Sequence, residues 1–272
     1  MAELRAIDGL TMLAAEPASP SKPPLLFVHG YLATARVFDH FIEYFCQRGH
    51  ACVAVNLRGR DGSLGGTDLG RASMDDFVDD AARAARTLGR PVVVGHSMGG
   101  LIAQKLAERG DARAAVLMSP APPRGITVFT FELLRRQWRY LLDILRSRPV
   151  VARAEDFIPL VLNHIPREKQ RDVFAQFVPD SGRAARDMLT GSVRVDERRV
   201  TCPVFTVASE DDHFIPLATV QRIAKKYGSP LYVAAGHGHL VMQEPGWEKI
   251  AGVLGLWIDD QSTSLLSPGG AT

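Results

Sequence analysis

The sequence is poor in cysteine: Cys46, Cys52 and Cys202 are the only three in 272 residues. An odd number cannot all pair within one chain, and no two form a Cys-x-x-Cys unit, so a disulfide framework and a dithiol redox motif are both excluded. They read as reduced, partly buried small hydrophobes, which points to a cytoplasmic location. Charge of one sign is also lacking. Lys and Arg number 32 against 30 Asp and Glu, a net +2, so nothing favours nucleic acid or a charged membrane surface as a partner. No apolar run is long enough to span a bilayer. The opening residues carry Glu3, Arg5 and Asp8 without an apolar stretch and do not read as a secretory signal. Metal spacing such as His-Glu-x-x-His is missing, and so is a Gly-x-x-x-x-Gly-Lys-Ser/Thr phosphate loop, so neither a metal nor a cofactor is expected.

What is present is an alternation. Short β-rich runs at Leu25–Val28, Cys52–Asn56, Val92–Val94, Ala115–Met118, Val204–Ala208 and Leu231–Ala234 are separated by amphipathic stretches. These stretches lie near Val37–Arg48, Ser73–Leu88, Leu101–Arg109 and Thr219–Tyr227, with Trp247–Trp257 after the last strand. Continuous apolar strands interleaved with helices are the sequence form of a mostly parallel sheet covered on both faces. Two strands at the start, Leu4–Ile7 and Thr11–Ala15, flank Asp8-Gly9, a hairpin signal. Ser73 followed by Asp76 marks a helix start. Between about Pro122 and Val200 the alternation stops, and only helix-like segments broken by prolines remain. The chain therefore divides into a core (1–121), a helical cap insertion (122–200), the rest of the core (201–260) and a loose Ser/Gly-rich tail (261–272). Such an insertion would lie over the carboxyl ends of the strands, where α/β sheets bind ligands.

Chemistry concentrates at Gly95-His96-Ser97-Met98-Gly99. Gly-x-Ser-x-Gly alone is a modest signal, but here Val92–Val94 precedes it and a helical stretch from Leu101 follows. A sharp strand-to-helix turn would expose the Ser97 hydroxyl above the sheet at a helix N-terminus, where a developing oxyanion is favoured. The plain alternative is a Gly-rich turn with a buried capping serine.

On these residues, and on Phe27–Tyr31, Phe205–Pro216 and Gly236–Pro245, the chain resembles the α/β-hydrolase family, its esterase and lysophospholipase-like branch in particular. The resemblance runs from about Pro24 to Trp257. It implies an α/β-hydrolase fold of about eight strands with an inserted helical cap, and a nucleophile–base–acid triad. Gly238-His239 followed by Glu244-Pro245 matches the family's histidine loop, which makes His239 the base, with His237 as the rival. An aspartate followed after three residues by proline selects Asp212 as the acid, with Asp211 and Glu210 as rivals. Ser97, Asp212, His239 is then the chain order this fold uses. Backbone N–H groups of Tyr31 and Met98 would form the oxyanion hole, with the N–H groups neighbouring Tyr31 as alternatives and an ordinary loop aromatic as the plain reading of Tyr31. Serine at the elbow argues against the dehalogenase and epoxide hydrolase branches, which place aspartate there.

These residues predict a serine hydrolase that attacks small to medium apolar carboxylic esters and forms an acyl-enzyme at Ser97. His29, Phe129 and Trp138 are the substrate contacts to test, and Leu141, Leu142 and Leu145 add apolar surface; ordinary helix packing would explain the cap residues as well. The same triad can serve thioester or amide hydrolysis, lyase chemistry or cofactor-free oxygenation, and the scaffold can also act as a ligand receptor. The sequence leaves the oligomeric state open.

Overall fold

The computed structural model describes residues 2–65, 68–128, 135–136 and 138–266, with side chains as far as Gln261. Eight strands form one sheet in the order β1-β2-β4-β3-β5-β6-β9-β10. They are β1 (Glu3–Ile7), β2 (Leu10–Ala15), β3 (Lys22–Val28), β4 (His50–Val55), β5 (Val92–His96), β6 (Ala114–Met118), β9 (Val204–Ser209) and β10 (Leu231–Ala234). β1 and β2 pair antiparallel across the Asp8-Gly9 turn, whose two residues both have positive φ, as a type I′ turn requires. β2 is antiparallel to β4, and every later pairing in this sheet is parallel.

Period-two alternation decides what each face buries. In β3, Leu25 and Phe27 face one side, where they meet Phe38, Phe41 and Phe45 around α1 (Asp39–Cys46). Leu26 and Val28 face the other side and meet Ala81, Ala82 and Ala85 of α2 (Met74–Thr87). The aromatic layer and the alanine-rich layer thus sandwich the same strand. Ser73 and Asp76 make a reciprocal capping box at the start of α2, so two N–H groups that a helix start leaves open are satisfied.

After β3 the chain crosses to β4 on one side; β5 then returns to pair with β3 on the other. The carboxyl ends of β3 and β5 are therefore the switch point of the sheet, where a crevice must open. Helix α3 (Met98–Arg109) starts directly at the end of β5.

The segment between β6 and β9 is less purely helical than its sequence suggests. It holds α4 (Leu141–Leu145), α5 (Ala154–Val161), α6 (Gln170–Phe174) and α7 (Gly182–Leu189), together with a two-residue antiparallel pair, β7 (Pro149–Val150) with β8 (Asp180–Ser181). A two-residue strand is too short to show a period, so its sequence carries no strand signal. After α8 (Leu217–Tyr227) and β10, helix α9 runs from Trp247 to Leu266, well past Trp257. The first half of the tail expected to be loose is thus helical; residues 267–272 lie outside the described residues. Among the described residues no helix is long and apolar enough to cross a membrane.

Candidate active site

Ser97 sits at the switch point with φ +54 and ψ −118, a backbone conformation that costs an ordinary residue on the order of 1–3 kcal/mol. Several contacts hold it there. Its N–H donates to Met118 O at 3.0 Å, which extends the pairing of β5 with β6, and its carbonyl accepts from Ala121 N–H at 2.8 Å. The turn is also too tight for side chains on either flank. A Cβ at Gly95 would lie 2.1 Å from Gly99 O, and one at Gly99 would lie 2.0 Å from Val28 O. The Gly-x-Ser-x-Gly spacing is therefore a steric requirement of this turn.

Two loops meet at the serine. His239, 4% exposed, follows β10, and its Nδ1 donates to Asp212 Oδ2 at 2.8 Å. Asp212 follows β9; its other oxygen, Oδ1, accepts the N–H groups of Phe214 and Ile215, both at 2.8 Å. Three hydrogen bonds fix the carboxylate and aim it at one ring nitrogen. Nε2 of His239 is then the nitrogen left to accept a proton. Ser97 and His239 line one small cavity with Gly30, Tyr31, His96 and Leu240.

The rival residues are engaged elsewhere. His237 Nδ1 donates to Ala235 O, Asp211 faces His164 Nε2 at 3.2 Å, and Glu210 accepts from Gly236 N–H. His96, wholly buried, donates from Nε2 to His239 O at 2.8 Å and so ties the histidine loop to the elbow. Burial, with the neighbouring His239 second, holds its pKa well below the usual range, so it stays neutral.

The N–H of Met98, first residue of α3, has no backbone acceptor among the described residues. In the turn after β3, Leu32 N–H donates to Asp180 Oδ2, whereas Tyr31 N–H has no acceptor among the described residues. The N–H groups of Gly30, Ala33 and Thr34 in the same turn likewise have no acceptor among the described residues.

The expected substrate contacts need correction. His29 is fully buried; Nδ1 donates to Gly30 O at 2.8 Å and Nε2 accepts from Leu57 N–H. Burial, then the Arg60 charge, lowers its pKa to about 3. With both nitrogens engaged, His29 shapes the turn rather than meeting a ligand. Trp138 is 64% exposed, beside Arg139, and does not line the cavity at Ser97. Leu141, Leu142 and Leu145 also face solvent, while Tyr140 and Ile144 face the cavity. Phe129 lies outside the described residues. The cavity itself holds about 490 Å³ and is walled mainly by Tyr31, Val128, Ile144, Phe157, Met188 and Phe214, with Ser97 among them.

Sequence reasoning took Glu244 only as a landmark and missed Asn163. Glu244 is 1% exposed, and its Oε2 accepts Gly238 N–H at 2.7 Å. Asn163, from the inserted segment, donates to Asp211 O at 2.9 Å. Its Oδ1 and Glu244 Oε1 are buried with no partner, and a Cβ at Gly238 would lie 2.4 Å and 3.0 Å from them. Both acceptors therefore border the space beside Gly238 without a hydrogen-bond donor. Burial raises the Glu244 pKa to about 7, which favours its neutral form near neutral pH. Among the described residues no group of three or more His, Cys, Asp or Glu is placed to hold a metal ion.

Comparison with known proteins gives the family and the fold. A family model described as the alpha/beta hydrolase family matches residues 25–251. The chain is 36% identical to a non-heme haloperoxidase of Rhodococcus erythropolis over 247 residues, 79% of this chain and 85% of that protein. It is 39% identical to a poly(3-hydroxyalkanoate) polymerase of Methylorubrum extorquens over 66 residues alone, 23% of this chain and 11% of that one. Among solved structures, the N-acyl homoserine lactonase AidH in complex with N-butanoyl homoserine is similar in fold. Its TM-score is 0.73 at 18% identity, with 100% of each chain covered.

Proposed function

Because the chain belongs to the α/β-hydrolase family, we propose that it is a serine hydrolase acting on carboxylic esters of small to medium apolar acyl groups. The observation that carries this reading is the hydrogen bond from His239 Nδ1 to Asp212 at 2.8 Å, in a histidine that shares a cavity with Ser97. A serine hydroxyl is a weak nucleophile near neutral pH and needs a base whose tautomer is fixed. Asp212 fixes it.

In this reading Ser97 Oγ attacks the ester carbonyl while His239 Nε2 takes its proton. The carbonyl oxygen becomes an oxyanion held by the N–H groups of Tyr31 and Met98. Collapse expels the alcohol, protonated by His239, and leaves an acyl-enzyme. Water deprotonated by the same imidazole then attacks and releases the acid. Pre-aimed backbone donors need no reorganisation as charge develops, and loss of one such donor costs about 10²- to 10³-fold in rate. The apolar walls of the 490 Å³ cavity suit an acyl chain better than a charged group.

Turnover of p-nitrophenyl acetate and butyrate by the wild type and by Ser97→Ala tests this. Wild-type hydrolysis that vanishes in the variant supports the reading; equal rates in both refute it. The haloperoxidase relative suggests a second reading, in which hydrogen peroxide replaces water as the attacking group and yields a peracid from the same acyl-enzyme. Bromide oxidation that needs both peroxide and a carboxylic acid, and that is lost in Ser97→Ala, would favour it.

A further inference from the structure

The turn that carries Tyr31 is strained and is held from outside the core. Leu32 has φ +63, a region L-residues with branched side chains avoid, so the surroundings must impose it. Those surroundings are three residues of a short stretch in the inserted segment, Val178, Asp180 and Ser181. Val178 N–H donates to Leu32 O at 3.0 Å, Leu32 N–H donates to Asp180 Oδ2 at 2.7 Å, and Tyr31 OH donates to Ser181 O at 2.9 Å. Both polar groups of Leu32, and the side chain of the residue before it, are therefore fixed by residues 178–181.

The anchor is itself built in. Asp180 is fully buried, and its Oδ1 accepts Ser181 N–H at 2.6 Å. Ser181 Oγ donates to Ala72 O and caps α7 by accepting Ala184 N–H. The counter-ion of Asp180 is Arg60, 1% exposed, whose guanidinium donates to Arg58 O at 2.8 Å and lies over the Phe77 ring. Arg58 is held in turn by Asp76 and Asp80. A buried ion pair is seldom a net gain in stability over apolar side chains of the same volume, so its presence calls for another account. The place where it acts supplies one: its carboxylate ends on the peptide next to the Tyr31 N–H.

We propose that Asp180, neutralised by Arg60, is a positioning residue that holds the turn at Tyr31–Leu32 so that the Tyr31 N–H points at the oxyanion formed above Ser97. The role rests on the hydrolase reading given above. By accepting from Leu32 N–H, Asp180 fixes the orientation of that peptide, next to the Tyr31 N–H, which has no acceptor among the described residues. The inserted segment thereby contributes to rate as well as to the shape of the cavity, although none of residues 178–181 touches the reacting atoms.

The test removes the acceptor without stranding a buried charge. Arg60→Met with Asp180→Leu deletes both charges and the acceptor; Arg60→Met with Asp180→Asn deletes the charges but keeps an oxygen for Leu32 N–H. For p-nitrophenyl butyrate the first pair should lose about 10- to 100-fold in kcat with KM nearly unchanged. Its inhibition constant for an alkyl trifluoromethyl ketone, which forms a tetrahedral adduct on serine, should rise by a similar factor. The Asn pair should recover most of both losses. A purely structural role would lower Tm in both pairs and leave kcat and the inhibition constant alike. If the Leu pair does not fold, Arg60→Met with Asp180→Ala makes the same deletion. Two folded pairs that match each other and the wild type in kcat and inhibition overturn the positioning role alone. A wild type that neither hydrolyses the ester nor binds the ketone at Ser97 overturns the hydrolase reading and this role with it.

Discussion

At the sheet edge, backbone geometry chooses the residues; along the cavity wall that the inserted segment supplies, shape alone does. Around Ser97, a Cβ on Gly95 or Gly99 would collide with main-chain atoms, and the serine itself must adopt φ +54. Around the cavity, Ile144, Phe157 and Met188 supply apolar wall with no comparable constraint on identity. Residues whose places are set by sterics can hold a reacting group to a fraction of an ångström, as acyl transfer requires. Residues that only fill space can change without disturbing the chemistry, so in the proposed reading selectivity belongs to the cavity wall, and reactivity to the sheet together with the anchor at residues 178–181.

The sharpest way to break that division is at the edge. Ser97→Ala should lower ester kcat by about 10⁴-fold or more, with circular dichroism and Tm close to wild type. Asp212→Asn comes next, at about 10³- to 10⁴-fold in kcat, because an amide can hold the imidazole in the wrong tautomer. On the insertion side the effect should be smaller and of another kind. Met188→Phe, which narrows the cavity, should lower kcat/KM for octanoyl relative to acetyl esters by about tenfold while the acetyl rate stays near wild type. An equal loss on both esters would show that the wall also sets reactivity.

The smallest effect on turnover is expected at the seam between the two regions, where Glu244 and Asn163 border Gly238. Burial raises the Glu244 pKa from 4.5 to about 7, so the native state favours the neutral acid. The stability it contributes is fully present below about pH 4.5 and is lost as pH rises through 7, up to about 3 kcal/mol. Glu244→Gln keeps an acceptor for Gly238 N–H and is neutral at every pH. Urea melts at pH 5 and pH 8 should show the wild type losing stability relative to the variant as pH rises. Parallel profiles would mean that the Glu244 carboxyl does not favour its neutral form in the native state.

How much of this could be read from the chain follows the same division. The sheet was legible because its central strands β5, β6 and β9 are continuous buried runs, and the elbow because its glycines are sterically required. The hairpin at Asp8-Gly9 and the cap at Ser73 were legible because their signals are local. The insertion was not. Leu141, Leu142 and Leu145 looked like cavity wall, yet the five-residue helix that carries them turns Ile144 inward instead; one turn and a half is too short for apolar spacing to define a face. Arg60 with Asp180 and Asn163 with Glu244 escaped notice because each pair joins residues far apart in the chain, and no local pattern marks either member. His29 was misjudged for the opposite reason: it stands beside the reactive turn in sequence, but its ring is wholly taken up by Gly30 and Leu57.

The central claim is that one hydroxyl is activated by one imidazole at the switch point of the sheet, and covalent labelling addresses it directly. After brief exposure to an alkyl fluorophosphonate near neutral pH, peptide mass mapping of the intact-labelled wild type should find a single adduct, on Ser97, and the same treatment of His239→Ala should leave that peptide almost unmodified. An adduct on another residue, or equal labelling of Ser97 in both proteins, would contradict the account.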